Sequence, residues 1–262
     1  MIKVAVSGYL GRMGSAVVSA VQGADDMQVV CGIDPNAPAQ AQDAPFPAFP
    51  SVADALDSVE ADVLVDFTQP DAVAANVEAA LERGVDCVVG TTGLSTGQLE
   101  ALASKAPDGT CLFYAPNFTI GAVLMMHFAG VAAKYFPQAE VIEYHHCNKK
   151  DSPSGTAVNT ARMIAASRDG RPSEAPGRET EMDGFEGARG ALVDGIPVHS
   201  VRSMGFVANQ QVIFGSMGQT LSISHESWDR ESYMPGVLLA ARSVGGRSGL
   251  VVGLDKLMPD LC

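Results

Sequence analysis

IKVAVSGYLGRMGSAVVSAV, residues 2–21, decides how the rest of the chain is read. Ile2 to Val6 is a short apolar run and an apolar-periodic segment follows Gly14, an order that fits strand, glycine turn and helix. The glycines fall at Gly8, Gly11 and Gly14, a GxxGxxG spacing rather than the commoner GxGxxG. Glycine permits the tight turn and lets backbone N–H groups approach a pyrophosphate at the helix N-terminus. Such a triplet alone could be a plain turn. The next apolar run, Met27 to Ile33, weighs against that, because it ends at Asp34. That acid lies about 20 residues beyond Gly14, where a carboxylate can grip the ribose hydroxyls of a dinucleotide. No Lys or Arg occurs between Asp34 and Ser51, so nothing there meets a ribose 2′-phosphate. NADH is therefore favoured, with NADPH possible through Arg12.

The alternation continues outward from this unit. Asp62 to Phe67 is a buried-strand pattern ending in DFTQP, and Ala72 to Arg83 has helical periodicity. Asp86 to Val89 is a further strand, closed by GTTG (Gly90 to Gly93). Ser95 and Gln98 have the capping-box form before a helix that runs to about Ala106. Thr110 to Tyr114 is another strand, ending in APNF (Ala115 to Phe118). Strands alternating with helices imply a Rossmann-like, doubly wound parallel sheet, whose ligands bind past the carboxyl ends of the strands. DFT, GTT and APNF all sit at such ends. Singly each reads as a loop; together with the glycine turn they read as a site.

From about Thr119 the rhythm changes. A long apolar helix (Ile120 to Phe136) precedes a strand (Glu140 to Tyr144), and another helix begins near Gly155. Asp169 to Gly190 is polar and rich in Gly and Arg, the composition of a mobile loop. Val198 to Met204, Gln211 to Phe214 and Leu221 to Ser224 are strand-like runs with no helices between them, so a second α+β domain with a mixed, largely open sheet is expected. A partner subunit is a plausible cover for one face of it. Tyr233 to Val244 forms a final helix, and Pro35 to Pro50 is an Ala/Pro-rich connector.

Composition narrows the function. At 262 residues the chain can bury a sizeable core, and 47% hydrophobic with 18% charged residues excludes disorder. A formal net charge of −13 argues against nucleic-acid binding, which needs a basic face. The first residues are too soon interrupted for a signal peptide, and the run Ile120 to Ala133 falls short of the roughly 20 residues that span a bilayer. Five scattered cysteines without a CxxC pair suggest reduced thiols in a cytoplasmic protein. Against this acidic background, VIEYHHCNKKDSPSGTA (Val141 to Ala157) concentrates two histidines and two lysines just before a helix.

Glu143 to Ala157 resembles the signature of the bacterial dihydrodipicolinate reductases, also called 4-hydroxy-tetrahydrodipicolinate reductases, of lysine and diaminopimelate biosynthesis. The resemblance extends over essentially the whole chain, through GxxGRMG, DFT-x-P, GTTG, APNF followed by T-I-G, and the C-terminal SGL…GL segment. It implies that the protein is an NAD(P)H-dependent oxidoreductase acting on a small cyclic dicarboxylate, and commonly a homotetramer, with no membrane or nucleic-acid partner. By the same resemblance His145 matches the catalytic histidine and Lys149 the proton-donating lysine. His146 matches a substrate-binding histidine, and Ser154, Gly155 and Thr156 the segment that binds a substrate carboxylate. Gly8, Tyr9, Leu10, Gly11, Arg12, Met13, Asp34, Phe67, Gly90, Thr91, Thr92, Ala115, Pro116, Asn117 and Phe118 match cofactor contacts. Pro35 stands where NADPH-using members usually carry a basic residue, which again favours NADH. Residues 1–118 with 227–262 are expected to form the dinucleotide-binding domain, and 119–226 the substrate-binding and oligomerisation domain.

The motif also makes chemical sense without the family. A dianion approaching an acidic protein needs local positive charge, which Lys149 and the histidines supply, while amides at a helix N-terminus add an anion site. Hydride transfer to a conjugated ring leaves negative charge that a proton must meet, and His145, Lys149 or water can each deliver it. Adjacent histidines on an extended segment point to opposite sides, so one of His145 and His146 could be structural. The His145–His146–Cys147 cluster is not read as a zinc site, because adjacent ligands do not easily share one tetrahedral ion. His127 and His225 read as helix and strand residues, and His199 stays unassigned. Two other functions fit the same scaffold: an oxidoreductase on another small anion, and a nucleotide sensor with no catalytic motif residue.

Overall fold

The structure is a computed structural model describing residues 1–37, 45–174, 187–258 and 261. The opening stretch forms β1 (Ile2–Ser7) and α1 (Arg12–Gln22), followed by β2 (Met27–Ile33). Next come β3 (Ala48–Phe49), α2 (Val52–Ser58), β4 (Val63–Asp66), α3 (Val73–Leu81) and β5 (Asp86–Val89). Then α4 (Thr96–Ala103) leads into β6 (Cys111–Tyr114). Ser95 caps α4 in the expected capping box, its hydroxyl accepting the Gln98 N–H while the Gln98 side chain returns to the Ser95 N–H. β4 and β6 are buried at every position, as strands covered on both faces must be. β3 and α2 have no counterpart in the sequence reading. β3 is a two-residue edge strand inside the proline-rich connector, and α2 is held at its start by the Ser51 hydroxyl accepting the Asp54 N–H at 3.2 Å. Part of that connector, 38–44, lies outside the described residues.

The second unit begins along α5 (Ile120–Ala133) and continues through β7 (Gln138–His145) and α6 (Gly155–Ser167). β8 (Ala191–Val193), β9 (Ile196–Arg202), β10 (Ala208–Ser216) and β11 (Gln219–Ser227) complete its sheet. Of the loop expected at Asp169 to Gly190, residues 175–186 lie outside the described residues. The five strands run β11-β10-β7-β9-β8, with β7 and β9 parallel and the other pairs antiparallel, a mixed sheet. Helices α5 and α6 cover one face. Met125 and Ala129 from α5 and Ala161 and Ile164 from α6 join Val141, Val198, Val212 and Phe214 in one apolar core. On the other face Ile142, Tyr144 and Ile213 stay half-exposed and Val201 is exposed.

The chain then returns to the first sheet with α7 (Met234–Ser243) and β12 (Gly249–Val252). The seven strands are all parallel, in the order β12-β6-β5-β4-β1-β2-β3. Helices α2, α3 and α4 pack in a row, with Val52, Val73, Val77, Leu81 and Leu99 against Leu64, Cys87, Val89 and Leu112, while α1 packs with α7. This is a doubly wound, Rossmann-like sheet, and the order reverses at β1, between β4 and β2. Compact units comprise Met1–Ile120 with Tyr233–Cys262, and Gly121–Ser232. No helix among the described residues is long and apolar enough to cross a membrane.

Candidate active site

In the first unit, adjacent strand ends are stitched together by one backbone bond each. The Gly8 N–H donates to the Ile33 carbonyl (2.8 Å), Phe67 to Ser7 (3.1 Å), Gly90 to Asp66 (3.0 Å) and Ala115 to Val89 (3.2 Å). These bonds place the expected cofactor residues at one carboxyl edge: Gly8 to Met13 after β1, Asp34 after β2, Phe67 after β4, Gly90 to Thr92 after β5, and Ala115 to Phe118 after β6. Gly8 sits at φ +80°, and a Cβ there would lie 2.4 Å from the Phe67 carbonyl oxygen. A Cβ on Gly14 would meet the Gly8 carbonyl oxygen at 2.1 Å. The loop can therefore lie close against the helix start only with glycine at both places. Gly11, the N-cap of α1, has no side-chain cap bond, so the first-turn N–H groups stay available for a phosphate. These features fit a dinucleotide.

Within that edge the residues divide by role. Leu10, Gly11, Arg12, Thr92 and Pro116 are exposed, whereas Thr91, Ala115 and Phe118 are buried. The Phe67 ring packs on Gly90 and tilts against Phe118 at 5.6 Å between centroids. Thr91 uses its hydroxyl beneath the surface, donating to Asp66 at 2.6 Å and accepting the Thr68 N–H at 2.7 Å. Asp66 has no exposure, and it also accepts from the Thr68 hydroxyl (2.8 Å) and Asn76 Nδ2 (2.9 Å). Asn76 and Asp66 carried no role in the sequence reading; their link depends on where α3 passes the sheet. Asp34 accepts the Asn36 N–H at 2.9 Å, which orients its carboxylate. Burial, and then the charge of Asp34, push the Tyr9 hydroxyl above its ordinary range.

In the second unit the histidine motif begins on the last residue of β7. Glu143 and His145 lie two apart and so share the face toward α5 and α6, and His146 is exposed beyond the strand. Lys149 follows in a turn closed by its N–H on the His146 carbonyl at 3.1 Å. Its ammonium donates to Asp151 at 2.7 Å, and that bond, with help from the Gly155 N–H, holds the Asp151 carboxyl below its ordinary range. Ser154 caps α6, its hydroxyl accepting the Ala157 N–H at 3.2 Å, so Gly155 and Thr156 stand in the first turn. The motif thus brings His145, Lys149 and the α6 N-terminus into one short segment, a lysine cation and helix amides able to take carboxylates. Cys147 and Lys150 are exposed.

Three residues of this region were not singled out by the sequence reading. Asp151 pairs with the Lys149 ammonium and also draws on the Gly155 N–H. Glu143, with no exposure, accepts from Arg202 through both nitrogens of its fork, at 2.8 and 2.7 Å, and pairs with His145 Nδ1. Burial alone would raise the Glu143 carboxyl, but the bonds from His145, Arg202 and Ser200 outweigh it and bring it down to about 2. Glu143 stood inside the quoted motif, but Arg202 is 59 residues away, and only the β7–β9 register brings them together. His199 pairs through Nε2 with Glu140 at 2.7 Å, while His127 lies on α5 and His225 on β11. Among the described residues no group of three or more His, Cys, Asp or Glu side chains could hold a metal ion.

Comparison with known proteins covers both units. Residues 2–118 match the family described as dihydrodipicolinate reductase, N-terminus, and residues 121–258 match dihydrodipicolinate reductase, C-terminus. The chain is 44% identical over 259 residues to a 4-hydroxy-tetrahydrodipicolinate reductase of Mycolicibacterium smegmatis, covering 98% of this chain and 99% of that one. It is 47% identical over 258 residues to the protein of the same name from Streptococcus thermophilus, again covering 98% and 99%. A solved dihydrodipicolinate reductase from Paenisporosarcina sp. TG-14 with dipicolinate bound superposes with a TM-score of 0.85 at 41% identity, covering 97% of this chain and 98% of that one.

Proposed function

This chain belongs to the dihydrodipicolinate reductase family, and we propose that its first unit holds the nicotinamide cofactor while the motif of its second unit holds and protonates the substrate. The protein is an NAD(P)H-dependent oxidoreductase that reduces 4-hydroxy-tetrahydrodipicolinate, by way of dihydrodipicolinate, to tetrahydrodipicolinate in lysine and diaminopimelate biosynthesis. The observation that carries this is the match of both halves to one family along nearly their whole lengths.

The geometry of each unit supports a role for each of these residues. The α1 amides, with the Gly8–Gly14 close approach, receive the pyrophosphate, and the strand-end loops at Phe67, Gly90–Thr92 and Ala115–Phe118 take the rest of the cofactor. When bound, the reduced nicotinamide supplies a hydride. Lys149 and the Gly155–Thr156 amides neutralise the substrate carboxylates, with His146 and Ser154 beside them, and Asp151 yields those donors to the incoming anion. A proton from His145 or Lys149 quenches the charge left by hydride transfer. NADH is the preferred cofactor: the Asn36 N–H fixes the Asp34 carboxylate, which can accept from ribose hydroxyls and would repel a 2′-phosphate, and Pro35 adds no cation. The half-exposed face carrying Ile142, Tyr144 and Ile213 is the surface we assign to homotetramer assembly. Free thiols at Cys31, Cys87, Cys111 and Cys147 suit a reducing, cytoplasmic setting.

Lys149→Ala is expected to collapse kcat and His145→Ala to lower it strongly, while a fluorescence titration gives nearly unchanged NADH affinity. A nucleotide sensor would show no change in either variant. Loss of NADH affinity in both would mean that these residues belong to the cofactor site instead.

A further inference from the structure

Glu143 is fully buried, and the roles given above leave it unused. A buried carboxylate is costly unless it is paired and hydrogen-bonded, and removing one partner of such a pair is more costly still. Its partners come from three segments. From β9, Arg202 Nη1 donates to Oε2 at 2.8 Å and Nη2 to Oε1 at 2.7 Å, a two-pronged geometry that lysine cannot reproduce. From the segment leading into α6, the Ser154 N–H donates to Oε1 at 3.3 Å. From β7 itself, His145 Nδ1 meets Oε2. Arg202 Nη2 donates further to the Asp151 carbonyl at 2.9 Å, and the Ser203 N–H to the His145 carbonyl at 3.1 Å.

The chemistry of the contact settles which nitrogen carries the proton. A carboxylate held in a guanidinium fork is ionised and can only accept. Nδ1 must therefore be the donor, and Nε2 is the nitrogen left for any other partner. A histidine fixed in this way at one nitrogen is aimed at the other. The register explains how the arrangement arises: β7 and β9 are parallel, with His145 opposite Arg202 and Glu143 opposite Ser200, so the guanidinium reaches the carboxylate along a neighbouring strand.

We propose that Glu143 and Arg202 are positioning residues: the carboxylate, held by Arg202, fixes His145 with its proton on Nδ1 and offers Nε2 to the substrate, while the same pair anchors the Asp151–Ser154 segment from which the Gly155–Thr156 amides project. The proposal rests on the assignment of the reaction to His145 and Lys149. It makes one buried ion pair the support for both the histidine and the carboxylate cradle.

The test is the tautomer of His145 in the full-length protein. With histidine labelled in 15N, long-range 1H–15N spectra near pH ~8, above the ordinary titration of imidazole, separate the two tautomers. His145→Asn identifies the signals. The expected result is Nδ1–H for His145 in the wild type. In Glu143→Gln the Nε2–H form appears, kcat falls about 10- to 100-fold, and NADH affinity is unchanged. Arg202→Lys, which keeps the charge without the fork, is expected to fall between wild type and Glu143→Gln in kcat, with a raised substrate KM from the loosened cradle. A wild-type His145 protonated on Nε2 with Nδ1 bare overturns the proposal, even if the variants do not fold. A folded Glu143→Gln enzyme with wild-type kcat overturns it as well. Wild-type turnover in His145→Ala and Lys149→Ala would instead remove the assignment beneath it.

Discussion

Acid should remove a specific share of the stability of the second unit. The Glu143 carboxyl, ordinarily near 4.5, is brought to about 2 in the folded chain by His145, Arg202 and Ser200 acting against its burial. An acid whose folded pKa is depressed stabilises the fold above its unfolded pKa and loses that stabilisation as pH falls through the folded one. At about 1.4 kcal/mol per pH unit of displacement the full contribution is about 3 kcal/mol, and about 2 kcal/mol of it is gone by pH ~3. Other carboxyls are lowered by their partners as well, among them Asp26 by Arg242, Asp57 by Arg83 and Glu60 by Lys3. They are shared by wild type and Glu143→Gln, so the difference between the two proteins isolates Glu143. Urea unfolding followed by circular dichroism between pH ~6 and pH ~3 is the assay. Glu143→Gln is expected to be less stable at pH ~6, because it leaves Arg202 without its charge partner, and the gap should close by about 2 kcal/mol on acidification. A gap that stays constant across that range would show that Glu143 is not held ionised by these partners.

Two changes at the cofactor edge test the other unit. Asp34→Ala is expected to weaken NADH much more than NADPH in a fluorescence titration, and equal losses would refute the ribose contact. Gly14→Ala places a Cβ 2.1 Å from the Gly8 carbonyl oxygen, so the glycine loop must move; NADH affinity is expected to fall at least about tenfold, and an unchanged Kd would mean that the loop does not hold the pyrophosphate.

The parts of the fold legible in the sequence were those set by local pattern. The apolar runs at Ile2, Met27, Asp62, Asp86 and Thr110 became parallel strands of one sheet because each is bounded by glycine, proline or a cap. Ser95 and Gln98 formed their capping box because its two bonds need only residues three apart. Helix ends drifted inward, Ala72 to Arg83 becoming Val73–Leu81, since periodicity does not mark where the last turns lose their partners. β3 and α2 escaped notice because two and seven residues are too few to show a period. The C-terminal SGL segment carries no strand assignment in the sequence, and only pairing with β6 makes β12 an edge strand. The same division applies to the candidate site. His145, Lys149 and Gly155 lie within one contiguous motif, whereas Glu143–Arg202 and Asp66–Thr91–Asn76 exist through strand register and helix placement, which no local spacing encodes.

The most direct measurement is steady-state turnover of the wild-type protein with freshly generated 4-hydroxy-tetrahydrodipicolinate, following the absorbance of NADH and NADPH in parallel reactions. The account predicts oxidation of one cofactor per substrate, with a higher kcat/KM for NADH. No oxidation of either cofactor, together with turnover on a different small acid, would contradict it.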